Sequence, residues 1–81
     1  PVGELDLVMR RGETLAVVEV KARPSLDQAA GAISPRQWQR LTRAVEWLMA
    51  GRPALARLCI RFDAVLVSGL SIRHVPDAWR P

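Results

Sequence analysis

Apolar and polar positions alternate at the start of the chain. Glu4, Asp6 and Val8 fall on one side, Leu5 and Leu7 on the other, and residues 4–10 read as a strand. A second strand follows over Thr14–Ala22, rich in valine. Arg11-Gly12-Glu13 lies between them, with glycine free to take positive φ, so the pair reads as a β-hairpin. Pro24 and Gly31 break the pattern over residues 23–34, where Leu26 to Ala30 form either a short helical turn or part of a loop. Ser34-Pro35 then opens a helix, serine as N-cap and proline at the first position, which runs to Ala50 and stops at Gly51-Arg52-Pro53. Its apolar stripe is Trp38, Leu41, Ala44, Val45 and Leu48. Leu58–Val67 reads as a third strand and Ser71–Val75 as a short fourth, with Pro76-Asp77-Ala78-Trp79 a final turn or helical stub. The order ββαββ predicts an α/β (α+β) domain: a mixed sheet with the long helix on one face.

Size and composition narrow this picture. The 81 residues make one small domain, residues 1–81, whose thin core leaves homodimerisation open. No apolar run approaches the ~18 residues of a membrane span, and residues 1–10 already read as strand instead of a signal peptide. One cysteine, Cys59, excludes an internal disulfide and a thiolate zinc site, and fits a reducing cytoplasm. One histidine, His74, excludes a histidine-rich metal centre. The net charge is +4, and eleven of the twelve basic residues are arginine, which pairs bidentately with phosphate and stacks on bases. Such a bias points to an anionic partner such as nucleic acid, and equally to an arginine-rich, GC-rich genome.

The hairpin concentrates the chemistry. A two-residue turn at Gly12-Glu13 pairs Arg11 with Thr14. Asp6 then falls opposite Glu19 and Glu4 opposite Lys21, all four on one face. Two carboxylates facing each other repel, and burying them is unfavourable without a compensating cation or hydrogen bonds. Mg²⁺ or Mn²⁺ would resolve the conflict, held by one or two carboxylates, water and a substrate phosphate. Lys21, one pleat from Glu19, would orient the attacking water or offset charge on the phosphate. The same face is also what a half-exposed strand ordinarily presents, with Glu4 and Lys21 as a cross-strand ion pair.

These residues carry a resemblance. Gly3-Glu4-Leu5-Asp6-Leu7-Val8 followed by Val18-Glu19-Val20-Lys21-Ala22-Arg23 resembles the YraN-like family of uncharacterised bacterial proteins. Ser34-Pro35-Arg36, Arg61-Phe62-Asp63-Ala64-Val65 and His74-Val75-Pro76-Asp77-Ala78-Trp79 extend it over nearly the whole chain. That family looks like a branch of the PD-(D/E)xK nuclease superfamily. The resemblance implies a restriction-endonuclease-like fold and Mg²⁺-dependent phosphodiester hydrolysis. Asp6 stands for the first acid, Glu19 for the second and Lys21 for the lysine, with Asp6 and Glu19 as the metal ligands. Leu5 replaces the proline of the pattern. The family's helix before the Gly-Glu-x-Asp strand is absent here, since the chain opens at Pro1, so the resemblance implies a domain truncated or incomplete at that end.

Other residues support a nucleic-acid partner. Arg36, Arg40, Arg43 and Trp47 share the helix face opposite the apolar stripe, a basic row ending in an indole. Arg23 follows Lys21 at the end of the second strand, and Gln37 sits beside the apolar stripe within reach of the hairpin. A solvated helix surface has the same pattern. Asp63 is expected to have a local structural partner, and His74 and Cys59 to be packing residues near the sheet. The sequence thus predicts a Mg²⁺-dependent endonuclease-like domain acting on DNA or structured nucleic acid. The alternatives are a non-catalytic nucleic-acid-binding or interaction module of the same fold, or a small dimeric scaffold using its exposed sheet.

Overall fold

The computed structural model describes residues 7–81. Its elements are strands β1 (Leu7–Arg11) and β2 (Thr14–Ala22), helices α1 (Leu26–Gly31) and α2 (Pro35–Ala50), a 3-10 turn over Pro53–Leu55, and strands β3 (Cys59–Ser68) and β4 (Ser71–Trp79). The four strands form one mixed sheet in the order β1-β2-β3-β4. Both hairpins are antiparallel, while β2 and β3 run parallel, as the intervening α1 and α2 require. The expected α+β domain with order ββαββ holds, with α1 as one added short helix.

The hairpin register is the one its turn dictates. Arg11 pairs with Thr14 and Leu7 with Val18. Gly12 has φ +58°, while Glu13 keeps a negative φ, the backbone signature of a two-residue type II′ turn. Gly69 (φ +57°) repeats the device where Ser68 pairs with Ser71. Nothing crowds a side chain at Gly12, so Gly12→Ala tests conformation alone. We expect it to cost about 1 kcal/mol in urea unfolding, because an L-residue is disfavoured at positive φ.

Helix α2 forms where its signals sit. The Ser34 hydroxyl accepts the Gln37 N–H at 3.1 Å, Pro35 fixes the first φ, and Gly51 follows Ala50. Its buried stripe is Trp38, Leu41, Ala44 and Val45. Trp38, Leu41 and Val45 pack with Val17, Phe62, Ala64 and Leu66 of the two central strands. Trp38 meets Phe62 edge-on, with centroids 6.3 Å apart, and stacks on Trp79 at 6.4 Å and 3°. The stretch before α2 resolves into α1, capped by Ser25, whose hydroxyl accepts the Gln28 N–H at 3.1 Å.

The fourth strand corrects the sequence reading. It does not end at Val75 in a turn or stub but continues to Trp79, past an irregularity where pairing jumps from Ala64–Val75 to Phe62–Trp79. Asp77 takes φ +53° inside that irregularity. Pro76 is tolerated because β4 is an edge strand, and aspartate is among the few residues that accept a left-handed backbone. The reward for this bend is the Trp79 ring on Trp38.

Strand alternation divides the sheet into two faces. Leu15, Val17, Glu19 and Lys21 of β2 share the face of Ile60, Phe62, Ala64 and Leu66 of β3, under α2. Thr14, Ala16 and Val18 share the opposite face with Arg61, Asp63 and Val65.

Candidate active site

Glu19 lies on the helix-covered face of a central strand and is only 3% exposed. A carboxylate in that position needs strong partners. Two donors converge on its Oε1: Gln37 Nε2 at 2.7 Å and Lys21 Nζ at 3.1 Å. Lys21 is one pleat further along β2, and its side chain keeps 21% exposure. The ammonium therefore bridges the buried carboxylate and the solvent edge.

Gln37 reaches Glu19 because of where α2 begins. Ser34-x-x-Gln37 has the spacing of a capping box, in which the glutamine would normally fold back on its own helix. Ser25-x-x-Gln28 of α1 keeps its glutamine local, the Ser25 hydroxyl meeting Gln28 Oε1 at 3.3 Å. In α2 the glutamine amide instead crosses to β2 and fixes Glu19. Replacing Gln37 by leucine should cost about 1–2 kcal/mol in chemical unfolding, since a buried carboxylate loses one of two donors.

The other expected residues fall as follows. Asp6 and Glu4 lie outside the described residues. Arg23 is exposed at the end of β2 and donates to the Ala22 carbonyl at 2.7 Å. Arg36, Arg40, Arg43 and Trp47 are all exposed along α2, Trp47 to 74%. Arg36 precedes Gln37 in α2, and the row runs about 16 Å along the helix from Arg36 to Trp47. Among the described residues no set of three or more His, Cys, Asp or Glu side chains converges in the manner of a metal centre. Glu19 is the carboxylate that those residues bring to this site.

On the opposite face the structure holds a polar cluster that residue types alone underread. Asp63 is 1% exposed. Arg61 donates to it twice, Nε to Oδ1 at 2.8 Å and Nη2 to Oδ2 at 2.9 Å. The Asp77 N–H donates to Oδ1 at 3.0 Å, and His74 Nε2 lies 2.8 Å from Oδ2. Toward an ionised carboxylate that nitrogen must carry the proton. Burial pushes the Asp63 carboxyl up, but the hydrogen bonds from Arg61, Asp77 and His74 outweigh it and hold the group below the ordinary carboxylate range. The same pairing raises the Arg61 guanidinium. Asp77 is lowered chiefly by its bond from Arg80. His74 and Cys59 are therefore not buried packing residues: His74 is an exposed partner of Asp63, and Cys59 is exposed at the start of β3. The clue available in sequence was the Arg-x-Asp spacing, which sets both side chains on one face of a strand.

Taken together, these features define a small α+β domain whose long helix clamps a carboxylate–lysine pair onto a central strand. Residues 1–67 match the family described as Uncharacterised protein family UPF0102. The chain is 53% identical over 79 residues to a UPF0102 protein of Paramagnetospirillum magneticum, covering 96% of this chain and 61% of that one. It is 55% identical over 82 residues to one of Parvibaculum lavamentivorans, covering 100% and 62%. A Caulobacter vibrioides relative is 46% identical over 80 residues, covering 98% and 64%. The chain belongs to the UPF0102 family of bacterial proteins, and spans about three fifths of the length of these relatives.

Proposed function

We propose that this domain is a Mg²⁺-dependent endonuclease of the PD-(D/E)xK type, hydrolysing phosphodiester bonds in DNA or structured nucleic acid. The observation that carries the reading is Glu19: a buried carboxylate on a central strand, with Lys21 and Gln37 converging on one of its oxygens. The lysine both compensates the buried charge and leaves the pair open at the solvent edge, where a substrate could reach it. The register expected from the sequence names Asp6 as the partner of Glu19, and Asp6 itself lies outside the described residues.

The donor set suits the ion. Mg²⁺ prefers one or two carboxylates and leaves its remaining positions to water and phosphate, so Asp6 and Glu19 would hold it. When bound, it would supply a more acidic water and offset charge on the phosphate. The rest falls to the chain. Gln37 and Lys21 both hold Oε1 of Glu19, and no bond from the described residues reaches the second oxygen, which would serve a ligand. Lys21 Nζ, oriented by Glu19, positions the attacking water or donates to a phosphate oxygen as negative charge builds. Arg23, Arg36, Arg40 and Arg43 hold the nucleic-acid backbone beside the site, and the Trp47 indole stacks on a base.

Two measurements address the parts separately. Calorimetric titration with Mn²⁺ should give a binding isotherm that Glu19→Gln abolishes; an unchanged isotherm would remove Glu19 as a ligand. Changing Arg36, Arg40 and Arg43 together to glutamine should weaken DNA binding across all sequences. The slope of log affinity against log salt should fall by about 2–3, roughly one per lost phosphate contact.

A further inference from the structure

The C-terminal end of α2 carries a feature set apart from Glu19. Of the three tryptophans, Trp38 and Trp79 stack on each other at the core. Trp47 is 74% exposed, the only aromatic among the large apolar side chains that the described residues leave in solvent. It opens onto a hollow of about 430 Å³, lined also by Leu48, Ala50, Gly51 and Arg52. Ala50 and Gly51 contribute little bulk, so the indole, Leu48 and the Arg52 guanidinium are its large groups.

The charge leading to this hollow is uncompensated. None of Arg36, Arg40, Arg43 and Arg52 has an ion pair among the described residues. At about 100° per residue, Arg36, Arg40, Arg43 and Trp47 fall within about 60° of one another on the helix. Glu46, the one acid of α2, is turned about 100° from Trp47. A protein segment laid over this row would bury three unpaired guanidinium groups, which is costly unless it supplies an acid for each. A nucleic-acid strand carries a phosphate at every step. At the hollow itself, the negative end of the α2 dipole disfavours a phosphate and leaves the place to an uncharged base.

We infer that this hollow holds an unpaired nucleobase, stacked on the Trp47 indole beside the Arg52 guanidinium, so that the substrate is DNA with a single-stranded segment. Paired bases turn their faces to one another along the stack and only their edges to a protein. An indole therefore finds a free face only on an unstacked base. Arg52 adds a cation to the same aromatic site. Trp47 lies about 15 Å further along α2 than Gln37, which holds Glu19. That is roughly five nucleotides at ~3.4 Å each, so one strand reaches both. This site rests on the nucleic-acid reading of α2 and narrows its substrate class.

The test is binding without cleavage, in EDTA, to three DNAs: a blunt duplex, the same duplex with a five-nucleotide single-stranded tail, and that tail made of abasic sites. Tryptophan fluorescence should be quenched by the normal tail alone. Anisotropy of a labelled strand should show the normal tailed duplex bound about tenfold tighter than the other two, as one base–aromatic stack supplies. Trp47→Ala should remove both the quench and the preference, losing far more affinity for the tailed duplex than for the blunt one, with the circular dichroism spectrum unchanged. Trp47→Phe should keep part of the preference, and Arg52→Gln should reduce it. An abasic tail bound as well as the normal one, or equal losses on tailed and blunt duplex in Trp47→Ala, would overturn the base site and leave the nuclease reading standing. Tail preference through Trp47 in a protein that cleaves nothing with Mg²⁺ would do the reverse. No binding to any of the three DNAs would overturn both. A dimer in sedimentation that Trp47→Ala disperses would make a second copy the occupant and overturn the base site.

Discussion

Asp63→Ala should unfold at a temperature roughly 15 °C below the wild type, the largest stability effect expected of any single change here. Removing this carboxylate leaves the Asp77 N–H without its acceptor and frees Arg61 and His74. Losing hydrogen bonds to a charged group and leaving the part-buried Asp77 N–H without its acceptor together cost about 3 kcal/mol. In a domain this small each kcal/mol moves the midpoint by roughly 4–8 °C. The value is kept moderate because Asp63 lies just beneath the surface, and both freed side chains can turn to water. Damage should appear first in β4, since the Asp77 bond holds the bend that delivers Trp79 to Trp38. Quenching of tryptophan fluorescence would track it. The pH dependence has a definite sign. Asp63 is held below its ordinary value when folded, so the unfolded chain binds more protons than the folded one in acid. Its contribution is complete above the unfolded carboxyl value near 4 and is lost as pH falls through the folded one. Asp63→Ala should therefore flatten the acid limb of the wild-type stability profile below about pH 4.

Lys21→Ala should lower the rate of phosphodiester cleavage by about 10²–10³-fold while leaving DNA affinity within a fewfold of wild type. The ammonium sits 3.1 Å from Glu19 Oε1, and in the proposed reaction it would act on charge that develops only as the phosphate reacts. Deleting one preorganised donor of that kind typically costs such a factor in turnover. Lys21→Arg should recover part of the rate, because charge is kept and geometry is not. A loss of binding equal to the loss of rate would mean that Lys21 is only a phosphate contact.

Some of this molecule was legible from residue types and spacing. The register followed from Arg11-Gly12-Glu13-Thr14, because a two-residue turn admits one pairing. The bounds of α2 followed from Ser34, Pro35 and Gly51, each a local steric or hydrogen-bonding signal. What was not legible depends on contacts between distant positions. The extension of β4 to Trp79 rests on a bond from Asp77 to Asp63 and on the stacking of Trp79 against Trp38. Nothing within Pro76-Asp77-Ala78 announces either, and that local sequence favours a turn. His74 looked like a packing residue because a lone histidine in an apolar strand usually is one. Its role became visible only when β3 and β4 were paired. Gln37 fell between the two cases: its place near the apolar stripe was readable, whereas its departure from a capping box toward Glu19 needed the helix docked on the sheet. Asp6 and Glu4 precede the described residues, so that half of the expected site rests on the hairpin register and on the resemblance.

The most direct test of the central claim is a cleavage assay with Mg²⁺ or Mn²⁺ on linear, branched and single-stranded DNA. It should use the purified protein and, in parallel, the longer Parvibaculum lavamentivorans relative. The account predicts metal-dependent cleavage of at least one substrate, reduced at least 100-fold by Asp6→Ala and by Glu19→Ala. Wild-type proteins that bind DNA without cleaving it, or cleavage that survives both substitutions, would contradict it.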